Sequence, residues 1–178
     1  MGICVVTGFS SGLPLYVLLS LLSAWLRSEG LDLATIGFMS MVMFPYTWKF
    51  LWAPLLDRYR LFALPRRKGW MLCTQACLIV TIGAFGFFDP QNNIYLIATL
   101  AALVSLLSAT FDVAIDAFRR EILDEFQLGL GNSLFVNAYR LSGLIPGGLS
   151  LILADGFLSW QGVFIFTSLC MLPGFLVC

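Results

Sequence analysis

The sequence predicts an all-α membrane protein with six transmembrane helices. Three observations carry that expectation. Of its 178 residues, 60% are hydrophobic and only 11% charged, against about a quarter charged in a soluble domain. The apolar residues fall into six runs, each near the roughly 20 residues that a helix needs to cross the hydrocarbon core. The basic residues gather between particular runs instead of spreading along the chain. Such a composition excludes a disordered chain, a nucleic-acid-binding domain and an ordinary soluble enzyme. Ten basic residues offset ten acidic ones, so net charge implies no polyanionic partner.

The first run extends from Met1 to about Leu26 and contains Gly8, Gly12 and Pro14 as interruptions. The second runs from Leu33 to about Leu56, the third from Trp70 to Phe88, and the fourth from Ile94 to about Ala117. The fifth, roughly Gly131 to Ala154, is interrupted at Gly143, Pro146, Gly147 and Gly148, and the sixth runs from Trp160 to Cys178. Interrupted helices at membrane depth line cavities or pack closely on neighbours. Arg58, Arg60, Arg66, Arg67 and Lys68 follow the second run, and Arg119 and Arg120 the fourth, while only Arg27 follows the first. The positive-inside rule then places those two basic loops, and both termini, in the cytoplasm. The first run lacks a charged leader and the last lacks a flanking polar residue, so the chain reads as an N-terminal portion of a longer protein.

The chain has no histidine, which leaves proton chemistry near neutral pH to carboxylates and removes the usual metal ligand. No metal or cofactor is expected. The five cysteines, Cys4, Cys73, Cys77, Cys170 and Cys178, all lie in apolar runs and read as packing or lipid-facing residues.

Ionisable residues inside a span are costly and therefore candidates for function. Four stand out: Lys49, Asp112, Asp116 and Arg140. Asp112 and Asp116 are four residues apart and share one helix face. Two carboxylates so close repel when both are ionised, so one favours its neutral form, as a proton carrier requires. Asp116 is expected at the cytoplasmic mouth and Asp112 one turn deeper. Their structural alternative is to brace neighbouring basic residues. Arg140 lies deeper still and needs a carboxylate, carbonyl dipoles or an anionic substrate. Asp112 is its natural internal partner if the fourth and fifth spans are neighbours. Lys49 lies near the end of the second span, where its stem can snorkel to the headgroups; the alternative is a partner role for Asp112 or Asp116.

Six spans with two basic loops match in size one half of a major facilitator transporter, itself two inverted three-helix repeats. On that scheme residues 1–178 form one N-terminal six-helix bundle, and the C-terminal bundle lies outside this chain. Asp57, Arg58, Arg66 and Arg67 echo the acidic-basic motif that such proteins carry between their second and third helices. Narrower strings follow in order along the chain: GFSSGLPL (Gly8–Leu15), KFLWAPLLDRY (Lys49–Tyr59), RRKGW (Arg66–Trp70), FDVAIDAFRREIL (Phe111–Leu123), YRLSGLIPGGL (Tyr139–Leu149) and LADGFLSWQGVF (Leu153–Phe164). They resemble the AmpG family of muropeptide permeases.

That resemblance implies proton-coupled import of anhydro-muropeptides across a Gram-negative inner membrane, feeding peptidoglycan recycling. It makes Asp112 and Asp116 the acidic pair for proton coupling. The implied substrate is an anionic glycopeptide, suited to Ser10, Ser11, Tyr46, Asn137, Tyr139 and Arg140. Lys49, Asp57, Arg58, Arg66 and Arg67 would serve gating at the cytoplasmic loop. Protons, lipid and a second six-helix bundle in cis or trans are the implied partners, and nucleic acid is not. Phe111 stands where these permeases often carry Gln. The alternatives are a related carrier of another anion, such as acetyl-CoA, or a non-transporting fragment. An intramembrane enzyme is disfavoured: the nearest match to a Gly-x-Gly-Asp string is Gly129-Leu130-Gly131-Asn132, and no histidine is present to activate a serine.

Overall fold

The computed structural model describes residues 1–59 and 65–177, apart from the side chains of Phe38, Ser40, Asp57 and Arg66. Every regular element among them is helical. Five helices organise the chain: α1 (Gly2–Ser28), α2 (Arg66–Ala84), α3 (Ile94–Ile122), α4 (Glu125–Ser142) and α5 (Trp160–Val177). Four stretches among the described residues are long and apolar enough to cross a membrane: Gly2–Ser28, Arg67–Phe87, Ile94–Ile122 and Trp160–Val177.

The expected second and fifth spans depart from single helices, and proline and glycine account for both. Residues 33–58 form a series of short pieces, Leu33–Met39, Ser40–Met43, Phe44–Trp48, Lys49–Leu51 and Ala53–Arg58. Pro45 and Pro54 each stand in the first turn of a piece, where a missing N–H is tolerated but a helix cannot be continued from before. The fifth stretch begins earlier than expected, at Glu125, breaks at Gly143, makes a π-helical turn over Ile145–Leu149 and resumes as Ser150–Gly156. Pro14 interrupts the first span less severely. The helix passes through it and opens into a π-helical turn at Val17–Leu21, a common accommodation in an otherwise continuous helix. Gly8 and Gly12 do not break α1 at all.

α1 is the centre of the bundle. It packs most extensively on α4, and also on α3 and the second half of α5, while α2 packs on α3 and α5. The α1–α4 contact depends on two glycines. A Cβ on Gly8 would lie 2.5 Å from the carbonyl oxygen of Phe135, and one on Gly12 would run into Ser142 Oγ and lie 2.5 Å from the Tyr139 carbonyl. Small residues four apart let backbones approach where lipid gives helices no hydrophobic reason to associate. Toward the other end, Trp25 meets Phe164 edge-on at 5.0 Å and Phe85 lies 5.5 Å from the same ring, tying α1, α5 and the end of α2 together.

The two ends of the bundle differ in charge. α1 closes through Gly30, whose φ of 82° lets Gly30 N–H reach Arg27 O and Leu31 N–H reach Leu26 O, a left-handed cap that glycine adopts without strain. The loop beyond it accepts a hydrogen bond from Gln91 Nε2 at the Glu29 carbonyl. At the opposite end Arg67 Nε lies 3.1 Å from Glu121, and Lys68 sits over the Phe118 ring. The basic residues after 33–58 thus share one end with Arg119 and Arg120, which lie in the last turns of α3 and not in the loop expected after the fourth span.

Candidate functional site

α3 runs six residues beyond Asp116, through Arg119, Arg120 and Glu121, before it ends at Ile122, so the helix continues past the expected end near Ala117. Asp112 lies ten residues from the end of α3, about 15 Å along the axis. Its surroundings come from three parts of the chain. One carboxylate oxygen accepts a hydrogen bond from Ser11 of α1. The other lies 4.0 Å from Lys49 Nζ. One turn away along α3, Ser108 accepts the Tyr46 hydroxyl at 2.5 Å, and Trp52 Nε1 donates to Thr110 Oγ1 at 3.2 Å. Residues 33–58 are therefore held against α3 by long polar side chains.

Asp116 shares the face of Asp112 but not its environment. It pairs with Arg119 at 2.8 Å on its own helix, and the Arg119 guanidinium stacks 4.1 Å over the Phe135 ring of α4. The Asp116 side chain remains 47% exposed, against 13% for Asp112. It borders an open recess of about 400 Å³ with Arg67, Val113 and Glu121, so the two carboxylates face different spaces.

The expected Asp112–Arg140 ion pair does not form. α1 lies between α3 and α4, and α4 turns Phe135, Tyr139 and Ser142 toward it. Arg140, one residue beyond Tyr139, is rotated by about 100° onto an exposed face with Ser133, Asn137 and Leu144. Among the described residues no hydrogen bond or ion pair reaches the Arg140 side chain. Asn137 donates back to the Ser133 carbonyl at 2.8 Å. Of the two expectations for Lys49, the headgroups or a partner role, its place 4.0 Å from Asp112 matches the second.

The two serines also separate. Ser11 reaches Asp112, whereas Ser10 faces α2 and α5, where its fully buried hydroxyl lies near Gly174 and Gln75 without a hydrogen-bond partner. Tyr139 is half-buried, its ring 6.1 Å from Tyr16 and 6.2 Å from Phe135. Arg58 is exposed and Arg67 engages Glu121; the side chains of Asp57 and Arg66 lie outside the described residues. Phe111 is fully buried in the apolar core, so position 111 turns away from the carboxylate. Ser108, Thr110 and Trp52 were not anticipated, although the spacing of Ser105, Ser108 and Asp112 on one helix face carried a signal for Ser108. No group of three or more metal-ligating side chains occurs among the described residues.

This arrangement can hold a proton on Asp112 beside the ammonium of Lys49. A family model described as Major Facilitator Superfamily matches residues 4–178. An uncharacterized protein of Haemophilus influenzae is 51% identical over 174 residues, covering 98% of this chain and 41% of that protein. The anhydromuropeptide permease of Escherichia coli K12 is 42% identical over 171 residues, covering 96% of this chain and 35% of the permease. The chain thus spans about two fifths or less of the length of these relatives.

Proposed function

Because the chain belongs to the Major Facilitator Superfamily, we propose that it forms the N-terminal part of a proton-coupled importer of anhydro-muropeptides in a bacterial inner membrane. The observation that carries this reading is the carboxylate of Asp112, held inside the apolar stretch Ile94–Ile122 by Ser11 and Lys49. An ionisable group inside such a stretch marks a transport or proton path more often than a structural brace. Asp112 carries the proton, and Asp116, already paired with Arg119, supports the end of α3. The similarity to the anhydromuropeptide permease of Escherichia coli supports the substrate. A muropeptide offers carboxylates to Lys49 and Arg140, hydroxyls to Asn137 and Ser11, and sugar faces to Tyr46 and Tyr139.

On this reading the interrupted stretches 33–58 and 125–156 act as the second and fifth spans of a six-helix bundle made of two inverted repeats. Both termini are cytoplasmic, and a second bundle, in cis or trans, completes the path. The test is uptake of radiolabelled anhydro-muropeptide into energised vesicles, with and without an uncoupler. Accumulation abolished by the uncoupler is expected. Uptake that unlabelled acetyl-CoA displaces better than unlabelled muropeptide would reassign the substrate.

A further inference from the structure

Lys49 is placed unlike a structural lysine. Its Nζ is 4.0 Å from Asp112 Oδ2, beyond hydrogen-bond length, and none of its three N–H groups has a hydrogen-bond acceptor among the described residues. Its side chain is 37% exposed while that of Asp112 is 13% exposed, so the ammonium lies between the buried carboxylate and the open side of the site. It sits where a piece of helix gives way to the 3₁₀ turn Lys49–Leu51, on the most interrupted part of the chain.

Asp116 and Arg119 neutralise each other. Arg140 lies on a separate face, with α1 between α3 and α4, so Lys49 is the cation beside Asp112, and its charge is left unbalanced once Asp112 is protonated. A surplus cation at membrane depth calls for an anion. The other groups facing Asp112 are Ser11 from α1, Tyr46 from the interrupted stretch, Tyr139 from α4 and, one turn along its own helix, Asp116, which Arg119 holds. The hydroxyls are neutral around neutral pH, so Lys49 is the charged neighbour able to change partners.

We propose that Lys49 is the anion-binding group of this site, shared between Asp112 and a carboxylate of the transported ligand, so that protonating Asp112 and binding the anion reinforce each other. This rests on the proton-coupled muropeptide reading and adds to it the residue that links the two cargoes. While Asp112 is ionised it competes with the ligand for the ammonium. Once it takes a proton, Lys49 is free to donate charge-assisted hydrogen bonds to the ligand. Reciprocity requires that a bound anion favour protonation of Asp112 to the same extent.

The test is equilibrium binding to the intact protein in detergent. The probes are an anhydro-muramyl tripeptide with free carboxylates and the same tripeptide with its carboxylates converted to amides. Wild type is expected to bind the free acid about tenfold more tightly than the amide. That preference should grow as pH falls toward about 5, where the ligand carboxylates are still ionised. Lys49→Gln should bring the two affinities within about threefold and remove the pH dependence; Lys49→Arg should restore the preference. A Lys49→Gln protein that keeps both the acid preference and its pH slope overturns the proposal while leaving the muropeptide reading intact. A wild-type protein that binds neither tripeptide overturns both.

Discussion

Two surfaces meet around Asp112, and they are built in opposite ways. Where α1 lies on α4, contact is between backbones: Gly8 and Gly12 bring the helices so close that a single added carbon would strike Phe135, Tyr139 or Ser142. Where residues 33–58 lie on α3, the contact includes polar links between long side chains, Tyr46 to Ser108, Lys49 to Asp112 and Trp52 to Thr110. The first surface has no slack, because close-packed backbones have few alternative arrangements. The second can exchange partners by side-chain rotation alone. Asp112 touches both, through Ser11 on one side and Lys49 on the other. A rigid support facing an adjustable one is a suitable setting for a group that must bind and release a proton.

Substitutions can separate the two surfaces. The largest effect is expected at their junction. Asp112→Asn should reduce gradient-driven accumulation to the level seen with an uncoupler, while counterflow exchange persists; accumulation at the wild-type level would remove Asp112 from the coupling mechanism. Next comes the rigid surface. Gly12→Ala should lower stability by about 1–3 kcal/mol through overpacking, read as a fall in melting temperature in detergent. Gly148→Ala, whose added carbon meets nothing within 4 Å, should change stability by no more than about 0.5 kcal/mol. Equal losses from both would mean that the α1–α4 contact is no tighter than the rest of the bundle.

The adjustable surface should respond differently. Tyr46→Phe removes one hydrogen bond to Ser108, so stability should fall by about 1 kcal/mol, with a proportionately larger loss of uptake rate. Loss of stability without loss of uptake would make that contact structural only. The smallest stability change is expected at Arg140→Lys, within about 0.5 kcal/mol, because the side chain is exposed and unpaired among the described residues. Uptake should still weaken, since lysine cannot offer the two-pronged donor geometry of arginine; wild-type kinetics would place Arg140 outside the substrate path.

Much of this arrangement is legible along the chain. Long apolar runs locate the membrane-length helices because hydrocarbon demands continuous apolar side chains and internal backbone pairing. Pro45, Pro54, Pro146 and the glycines around it mark interruptions because they remove rungs of the helix ladder. The strings containing Lys49, Asp112 and Arg140 are visible as motifs, and the depth of the charges can be counted from the nearest end.

What the linear order leaves open is direction around each helix axis. In a water-soluble bundle an apolar stripe reveals the buried face, but here lipid and core are equally apolar and the contrast vanishes. Hence neither the outward turn of Arg140 nor the opposite facings of Ser10 and Ser11 could be read in advance. Chemistry and depth follow from composition and spacing, which are local. The choice of partner for Asp112, a serine 101 residues earlier and Lys49 instead of Arg140, was decided by α1 coming to lie between α3 and α4. That placement depends on two glycines matching the shape of a helix more than a hundred residues away.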